Sequence, residues 1–261
     1  MGKIVFFDVD GTIYHNSTGV VRDAAAGIRQ LRANGHRAFI CTGRSRAGLD
    51  DDIVGVGFDG IVASCGTYIE VDGQIIKNET LPEAVTDHVI DTLADREGYY
   101  LILEGSRYMY MGLEAAPPQE KKRFTRFVKN NAERIKTFQK GIKDVNKFCL
   151  RLARHIDYRI VEREMSAYFD ALVHTPFTLE FVPHGYDKGT GIDDILRHYG
   201  MAIEDTVGFG DGVNDVPMLK RVETAIVMGN GSDAAKAHAD YVTKPILEGG
   251  IGHALERLSL I

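Results

Sequence analysis

The chain has 261 residues, a formal net charge of −6 and 44% hydrophobic residues, which suits one large or two modest globular domains. The acidic balance argues against a general nucleic-acid-binding surface. No apolar run approaches the roughly 18 residues of a membrane-spanning helix, and the three cysteines fit no zinc spacing. We therefore expect a cytoplasmic protein with no nucleic-acid or membrane partner.

The first predicted strand leads directly into two carboxylates. Residues 4–7 form an apolar run typical of a strand buried on both faces of a parallel sheet, and Asp8, Asp10 and Gly11 follow it. Residues two apart on a strand project the same way, so both carboxylates can face one crevice. At about 4 Å and an effective dielectric of about 20 they repel by roughly 4 kcal/mol, which a cation or a shared proton must offset. The alternative is that Asp8 or Asp10 only caps a turn.

The segments after this strand alternate between helix and strand. The predicted elements are a helix over 21–31, a strand over 36–41, a short helix over 47–53, a strand over 60–64 and a hairpin around Asp72-Gly73. This alternation predicts right-handed crossovers and a parallel sheet.

The pattern changes between residues 82 and 183. Runs of strands stand beside helices, which suggests an α+β insert built on an antiparallel sheet. Strands are predicted over 99–104, 107–111, 147–153, 168–174 and 177–182, and helices over 82–97, 118–130 and 157–165.

The alternating pattern resumes near Pro183. A helix over 188–199 is followed by a strand over 206–209, a helix over 216–222, a strand over 225–228, a helix from Ser232, a strand over 241–243 and a closing helix. We therefore predict an α/β fold in which residues 1–81 and 184–261 form a parallel-sheet core and residues 82–183 form an inserted α+β domain.

A second acidic cluster follows the strand over 206–209. Asp211, Asn214 and Asp215 stand among glycines that would let the backbone approach a ligand closely. These glycines are Gly208, Gly210 and Gly212. Asp215 alone could cap the next helix, but a cap does not explain all three polar residues. If the two acidic clusters meet at one sheet edge, up to four carboxylates converge, and such an oxygen-only set suits Mg²⁺ that bridges to a phosphate.

Lys188 and the tripeptide Thr42-Gly43-Arg44 indicate an anionic ligand. A lysine at a helix N-terminus opposes the macrodipole, and Asp187 before it is the better cap, so Lys188 makes sense if a phosphate or an aspartyl-phosphate must be held. The alternative is a solvated lysine whose stem lies on the surface. The tripeptide offers a hydroxyl and backbone N–H groups for a phosphate, although alone it is an ordinary turn.

These four segments resemble, in this order, the motifs of the haloacid dehalogenase (HAD) superfamily. The first motif is similar to Asp8-x-Asp10-Gly11-Thr12, the second to Thr42, the third to Lys188 and the fourth to Gly210-Asp211-Gly212-x-Asn214-Asp215. The resemblance covers the whole chain. The long insert between the second and third motifs is similar to that of Cof-like phosphatases with a large α/β cap of type 2B (C2B), and it implies a Rossmann-like core.

The resemblance implies a Mg²⁺-dependent phosphatase with an aspartyl-phosphate intermediate. Asp8 would be the nucleophile, and Asp10 would protonate the leaving group and then activate water. Mg²⁺ would be held by Asp8, the Asp10 carbonyl and Asp211, with Asp215 close by. Phosphoryl transfer needs positioning and charge neutralisation above all, which the catalytic residues Thr42 and Lys188 would supply together with Mg²⁺. The substrate-binding residues would be Thr42, Gly43, Arg44, Lys188 and Asn214.

One segment departs from the family's pattern, and the cap is less informative. Relatives often carry Asn-Gly-Ala after the third strand, where this chain has Cys65-Gly66-Thr67, which puts an asparagine contact to substrate in doubt. We expect the cap to select the leaving group. Its candidate contacts, each more simply a solvated or packing residue, are Arg107, Tyr108, Tyr110, Lys147, Arg151 and His184.

The predicted function is hydrolysis of small phosphate monoesters, such as sugar phosphates or related metabolites, by a monomer or homodimer. One alternative is a phosphomutase of the same superfamily, which shares the paired aspartates and this kind of cap. The other is a regulatory protein that holds a phosphorylated ligand without turnover, although nothing in the sequence disables catalysis.

Overall fold

A computed structural model describes residues 2–114 and 116–261, with the side chains of all of them except Gln119, Arg123, Phe124 and Arg126. No helix in these ranges is both long and apolar enough to cross a membrane. The chain divides into two compact units. The first comprises Met1–Gly43, Asp51–Lys77 and Tyr186–Ile261, and the second comprises Arg44–Asp50 and Asn78–Gly185.

The secondary structure is numbered in chain order. The strands are β1 (Ile4–Phe7), β2 (Tyr14–His15), β3 (Gly19–Val20), β4 (Arg37–Cys41), β5 (Gly60–Ala63), β6 (Tyr68–Val71), β7 (Gln74–Asn78), β8 (Tyr99–Glu104), β9 (Met109–Tyr110), β10 (Ile135–Lys136), β11 (Lys147–Leu152), β12 (Phe169–Thr175), β13 (Thr178–Pro183), β14 (Thr206–Gly210), β15 (Thr224–Val227) and β16 (Tyr241–Val242). The α-helices are α1 (Arg22–Ala33), α2 (Asp51–Val54), α3 (Glu83–Leu93), α4 (Pro118–Asn131), α5 (Tyr158–Met165), α6 (Lys188–Tyr199), α7 (Val216–Leu219), α8 (Asp233–Lys236) and α9 (Gly250–Arg257). Short 3₁₀ helices lie at Arg46–Gly48, Ser64–Gly66, Ala132–Arg134, Ile203–Asp205, Val213–Asp215 and Ile246–Glu248.

The first unit is built around β1. Its eight-stranded sheet has the order β16-β15-β14-β1-β4-β5-β6-β7, and β1 runs parallel to both β14 and β4, with Phe7 opposite Phe209 and Ile40. All four residues of β1 are buried, and Phe6 packs in one cluster with Ile192 and Ile195 of α6. Parallel strands in register end at one sheet edge, so the segments that follow β1, β4 and β14 lie together. The α/β prediction is confirmed.

The second unit is an α+β layer. Its six-stranded sheet has the order β10-β9-β8-β11-β13-β12, and β8, β11, β13 and β12 pair antiparallel. Alternate residues of β11, such as Phe148 and Leu150, pack in one cluster with Val89 of α3 and Val161 of α5. Successive side chains of a strand point to opposite faces of the sheet, so one face of β11 packs against these two helices. The strands β8, β11, β13 and β12 match the predicted antiparallel sheet of the insert, whereas β10 pairs parallel with β9.

Several element bounds differ from the predicted ones. The helix predicted over 82–97 ends at Leu93, because the chain turns into β8 through Gly98, whose φ is 80°. The strand predicted over 107–111 shortens to Met109–Tyr110, because the Asp144 carboxylate accepts N–H groups from the preceding turn. Strands β2, β3 and β10 have two residues each and were not predicted, because alternation cannot show in two residues.

Candidate active site

Three carboxylates meet at the carboxyl edge of the first unit's sheet. Asp8 follows β1, Asp211 follows β14, and Asp215 ends the 3₁₀ turn after β14. One oxygen from each lies within 4.8 Å of the others. Asp8 and Asp215 are buried and Asp211 is half-buried. The parallel pairing of β1 with β14 thus brings together the two acidic clusters that are far apart in the sequence.

Lys188 lies between two of these carboxylates. Its Nζ donates to Oδ1 of Asp8 at 2.6 Å and to Oδ1 of Asp215 at 2.5 Å, and the residue is 1% exposed. The alternative of a solvated lysine is therefore wrong. A cation buried to this extent needs carboxylate partners to offset its lost hydration, and here it has two.

The start of α6 fixes the position of Lys188. Asp187 is the N-cap, and its carboxylate accepts from the Thr190 N–H at 2.8 Å while the Thr190 hydroxyl accepts from the Asp187 N–H at 3.1 Å. This reciprocal pair satisfies N–H groups that the first helical turn leaves unbonded. A Cβ on Gly191 would lie 2.3 Å from Val62 Cγ1, so the glycine lets α6 lie directly on β5. The predicted cap at Asp187 is confirmed.

Gly11 fits its position because it lacks a side chain. Its φ is +83°, and a Cβ there would lie 2.1 Å from Oδ2 of Asp211. Only glycine meets both conditions without strain. Asp10, just before it, is exposed and contributes to raising the pKa of Asp211, so its charge acts on the same cluster.

Asp215 organises the loop after β14. Its Oδ2 accepts from the N–H groups of Asp211 and Gly212, each at 2.8 Å, while Oδ1 accepts from Lys188. The glycines Gly208 and Gly210 have a structural role besides the predicted one in ligand approach, which stays a prediction. A Cβ on Gly208 would lie 3.1 Å from the Val222 side chain, and one on Gly210 would lie 2.6 Å from the Asp215 Cβ, so these glycines admit the protein's own atoms.

The charges at this edge are not balanced. Burial, the Asp215 carboxylate and a smaller effect of Asp211 raise the pKa of Asp8 well above its usual range, against the opposing effect of Lys188. Burial and Asp215 raise the pKa of Asp211 to about 7. Burial by itself would lower the pKa of Lys188, but Asp215 and Asp8 outweigh it and hold that pKa well above its usual value. Three carboxylates with one lysine favour a further cation, and an all-oxygen donor set suits a hard divalent ion.

Thr42 and Gly43 lie at the same sheet edge, directly after β4. Thr42 is buried, its N–H donates to the Val62 carbonyl at 2.9 Å, and its carbonyl accepts from the Cys65 N–H at 3.2 Å. Gly43 is half-buried. Both residues belong to the first unit, as do the three carboxylates and Lys188.

Arg44 and Asn214 are the remaining predicted phosphate contacts. Arg44 belongs to the second unit, where its Nη1 donates to the Gly48 carbonyl at 3.4 Å and lies 3.9 Å from the Asp50 carboxylate. Asn214 is half-buried in the turn Val213–Asp215. The phosphate-binding roles of both stay predictions.

The candidate contacts of the second unit differ in their surroundings. Lys147 is neither solvated nor a simple packing residue, because it is 1% exposed and its Nζ lies 3.0 Å from both Glu104 and Glu180. Arg151 Nε lies 3.5 Å from the Glu120 carboxylate. The other four are Arg107 and His184, which are exposed, Tyr108, which is half-buried, and Tyr110, which is buried.

The loop after β15 also reaches this edge, although no site residue was predicted in it. Asn230 donates from Nδ2 to the Gly11 carbonyl at 2.9 Å, and the Ser232 N–H donates to the Asp211 carbonyl at 2.8 Å. The signal that could have found it is Gly229-Asn230-Gly231, a turn-forming tripeptide directly after a predicted strand of the same parallel sheet.

Comparisons with known proteins agree with this geometry. A family model described as haloacid dehalogenase-like hydrolase matches residues 5–255. The provisionally named phosphatase YkrA of Bacillus subtilis (strain 168) is 28% identical over 99% of this chain and 98% of its own length. The HMP-PP phosphatase of Serratia proteamaculans (strain 568) is 25% identical over 91% of this chain and 87% of its own. Among solved structures, the HAD subclass IIB sugar phosphatase BT4131 superposes with a TM-score of 0.82 at 26% identity, over 99% of this chain and 100% of its own.

Proposed function

Because the chain belongs to the haloacid dehalogenase-like hydrolase family and is a phosphatase of that family, we propose that it hydrolyses small phosphate monoesters with Mg²⁺ as cofactor and Asp8 as nucleophile. The observation that carries this proposal is the meeting of Asp8, Asp211 and Asp215 within 4.8 Å around the buried Lys188. Phosphoryl transfer depends mainly on positioning and on neutralising charge, and this cluster offers both.

The proposed reaction has two steps. In the first, a carboxylate oxygen of Asp8 attacks phosphorus, the bond from phosphorus to the leaving oxygen breaks, and Asp10 gives its proton to that oxygen. In the second, Asp10 takes a proton from water as the water attacks phosphorus, and the bond to Asp8 breaks to release phosphate. Lys188 stays protonated throughout and stabilises negative charge next to Asp8.

Divalent-metal use is general in this family, and the acidic cluster has the chemistry to hold such an ion. We assign the ion as Mg²⁺, with Asp8, the Asp10 carbonyl and Asp211 as ligands. Asp215 supports them, since both of its oxygens already accept hydrogen bonds. When bound, Mg²⁺ neutralises charge on the transferring phosphoryl group and orients it.

Substrate recognition is proposed on the same grounds. We assign binding of the substrate's phosphoryl group to Thr42, Gly43, Arg44, Lys188 and Asn214. Relatives named for HMP-PP and for sugar phosphates support a small phosphorylated metabolite. We propose that residues 1–81 and 184–261 act as the catalytic core, that residues 82–183 act as a C2B cap that selects the leaving group, and that the enzyme works in the cytoplasm as a monomer or homodimer.

A phosphate-release screen over phosphorylated metabolites, with Mg²⁺ and with a chelator, tests the proposal. We expect phosphate release that needs Mg²⁺ and is lost in Asp8→Asn. The variant should keep its circular dichroism spectrum, because the new amide oxygen can still accept a hydrogen bond from Lys188. Turnover that survives Asp8→Asn would refute the nucleophile. Isomerisation of a sugar phosphate without phosphate release would assign a mutase instead.

A further inference from the structure

The loop at residues 228–232 is bonded to both acidic clusters. The Asn230 side chain donates to the Gly11 carbonyl, directly after Asp10, and the Ser232 N–H donates to the Asp211 carbonyl. None of the four family-like motifs contains these residues. One loop therefore holds the backbone on each side of the proposed metal and phosphoryl site.

The Asn230 amide is fixed at both of its ends. Its Oδ1 accepts from the Ile246 N–H at 2.8 Å, while Nδ2 donates to Gly11 at 2.9 Å. The neighbouring backbone is also tied down, because Lys236 Nζ donates to the Gly229 carbonyl at 2.8 Å and the Gly229 N–H donates to the Lys244 carbonyl at 3.2 Å. An amide bonded at both ends holds one orientation, so Asn230 can set the position of the group it contacts.

The group it contacts belongs to the segment that carries Asp10. Gly11 has a φ of +83°, and its N–H donates to the Tyr14 carbonyl at 2.9 Å. The Asn230 bond fixes the carbonyl of the same residue. Because Gly11 follows Asp10 directly, the backbone around Gly11 contributes to where the Asp10 carboxyl lies.

We propose that Asn230 is a positioning residue for Asp10 in its acid–base role. The inference rests on the proposed function, because it needs Asp10 to give a proton to the leaving oxygen as the bond from phosphorus to that oxygen breaks. Proton transfer needs hydrogen-bond distance between the two groups, and small misplacements of a catalytic group cost large factors in rate. Loss of the Asn230 bond therefore weakens this proton transfer while the side chains of Asp8 and Lys188, which Asn230 does not contact, keep their bond to each other.

A leaving-group series tests the proposal. p-Nitrophenyl phosphate has a good leaving group that needs little protonation, whereas propyl phosphate needs its proton at the transition state. For Asn230→Ala we expect kcat/KM to fall about tenfold to a hundredfold on propyl phosphate, a partial loss of the roughly 10²–10⁴-fold that general acid–base catalysis contributes, and by less than about threefold on p-nitrophenyl phosphate. Asn230→Asp, which keeps the acceptor for Ile246 but loses the donor to Gly11, should give the same pattern.

Two reference variants separate the outcomes. Asn34→Ala removes a similar side-chain hydrogen bond from an exposed asparagine of the same unit, where Nδ2 donates to the Leu260 carbonyl at 2.9 Å. It should leave kcat/KM unchanged for both substrates. Asp10→Asn measures the acid role itself. Suppose that the loss of kcat/KM in Asp10→Asn depends on the leaving group. If both Asn230 variants then lower kcat/KM equally for the two substrates, or not at all, the positioning role is wrong. If Asp10→Asn shows no such dependence, the acid assignment in the proposed function fails, and the positioning role fails with it.

Discussion

At the scale of single residues, the carboxylates of Asp8 and Asp215 share one cation. Lys188 bonds to both, so it stabilises the fold at the position where the proposed chemistry needs a positive charge. The half-buried Asp211 adds a third negative charge nearby. With three carboxylates and one lysine, the site keeps an excess of negative charge, which favours a divalent cation.

Replacement of Lys188 tests whether this lysine stabilises the fold as the counter-charge of Asp8 and Asp215. Lys188→Met leaves Asp8 and Asp215 buried without a counter-charge, and breaking a buried ion pair costs about 3–5 kcal/mol. We expect a loss of that order in the free energy of unfolding at pH 8 and a smaller loss at pH 5, because burial and the Asp215 charge raise the pKa of Asp8 and so favour its neutral form as pH falls. Urea unfolding at both pH values measures it. Lys220→Met, at an exposed lysine, should change the stability little; equal losses in the two variants would contradict the account.

The carboxyl pKa values predict how pH affects metal binding. An unfolded aspartate has a pKa of about 3.9, whereas the folded, metal-free protein holds the pKa of Asp211 at about 7 and that of Asp8 well above its usual value. The folded state thus binds more protons than the unfolded state between about pH 4 and pH 7, so metal-free stability falls as pH rises through that window. Protons compete with the cation, so Mg²⁺ should raise Tm more at pH 8 than at pH 5.5. An equal gain at both pH values would refute the titration of these groups.

At the scale of elements, the loop after β5 holds the second motif against α6. Ser64, Cys65 and Gly66 all have positive φ values of 49°, 54° and 88°, a conformation that costs non-glycine residues free energy. The Cys65 N–H reaches the Thr42 carbonyl, and a Cβ on Gly66 would lie 2.5 Å from the Asp187 carbonyl oxygen. The loop is therefore packed between the segment carrying Thr42 and the helix start that carries Lys188.

Two glycine substitutions separate backbone strain from this close approach. Gly66→Ala places a Cβ at a residue with positive φ and also against the Asp187 carbonyl, so it should displace the start of α6. Gly200→Ala, at the other end of α6, has a φ of +60° with nothing within 4 Å of its Cβ, so it introduces only the backbone strain, about 1–2 kcal/mol. We expect Gly66→Ala to lower kcat at least tenfold and Gly200→Ala to leave it within about twofold. Similar kcat values, with a matching loss of Tm, would show that the approach to α6 has no catalytic consequence.

The accuracy of the predicted elements follows from how local their determinants are. The helix predicted over 188–199 is observed at Lys188–Tyr199, because Asp187 caps its start and Gly200 ends it in the left-handed conformation. The helix predicted over 47–53 is instead a 3₁₀ turn at Arg46–Gly48 followed by α2. The first of these pieces belongs to the second unit, and its residue Ala47 packs there in one cluster with Tyr100 and Ile102. Neighbours so far away in sequence leave no local periodicity.

The candidate site divides in the same way. Asp8 and Asp211 could be placed from sequence because each ends a strand of a parallel sheet, and strand ends gather at one edge. The environment of Lys147 could not, because Glu104 and Glu180 lie on two other strands and reach it only through sheet pairing. Asn230 was missed because an asparagine between glycines is most simply a turn.

At the scale of the whole molecule, each core cluster of the described residues lies within one unit. In the first unit, Phe6 and Phe39 pack with Ile192 of α6, although the two strands and the helix come from opposite ends of the sequence. In the second unit, Phe148 and Phe181 stack with ring centroids 4.5 Å apart within their own cluster. Each of these clusters draws its described residues from one unit. Units with their own cores can open independently, so a ligand bound to one need not stabilise the other.

Hydrogen exchange with and without Mg²⁺ tests this independence. A ligand that binds only the native state stabilises it by about 2.7 kcal/mol at a free concentration of about 100 times its Kd, which slows exchange about a hundredfold wherever exchange needs that unit to open. We expect this slowing in β1 and β14, which lead into the acidic clusters, and no change in β11 and β13 of the second unit. Asp8→Asn removes a proposed metal ligand and should reduce the effect at the same Mg²⁺ concentration. Equal slowing in all four strands would mean that the two units open together as one cooperative block. The free energy of Mg²⁺ binding in the first unit would then have to be overcome before the amide hydrogens of either unit could exchange.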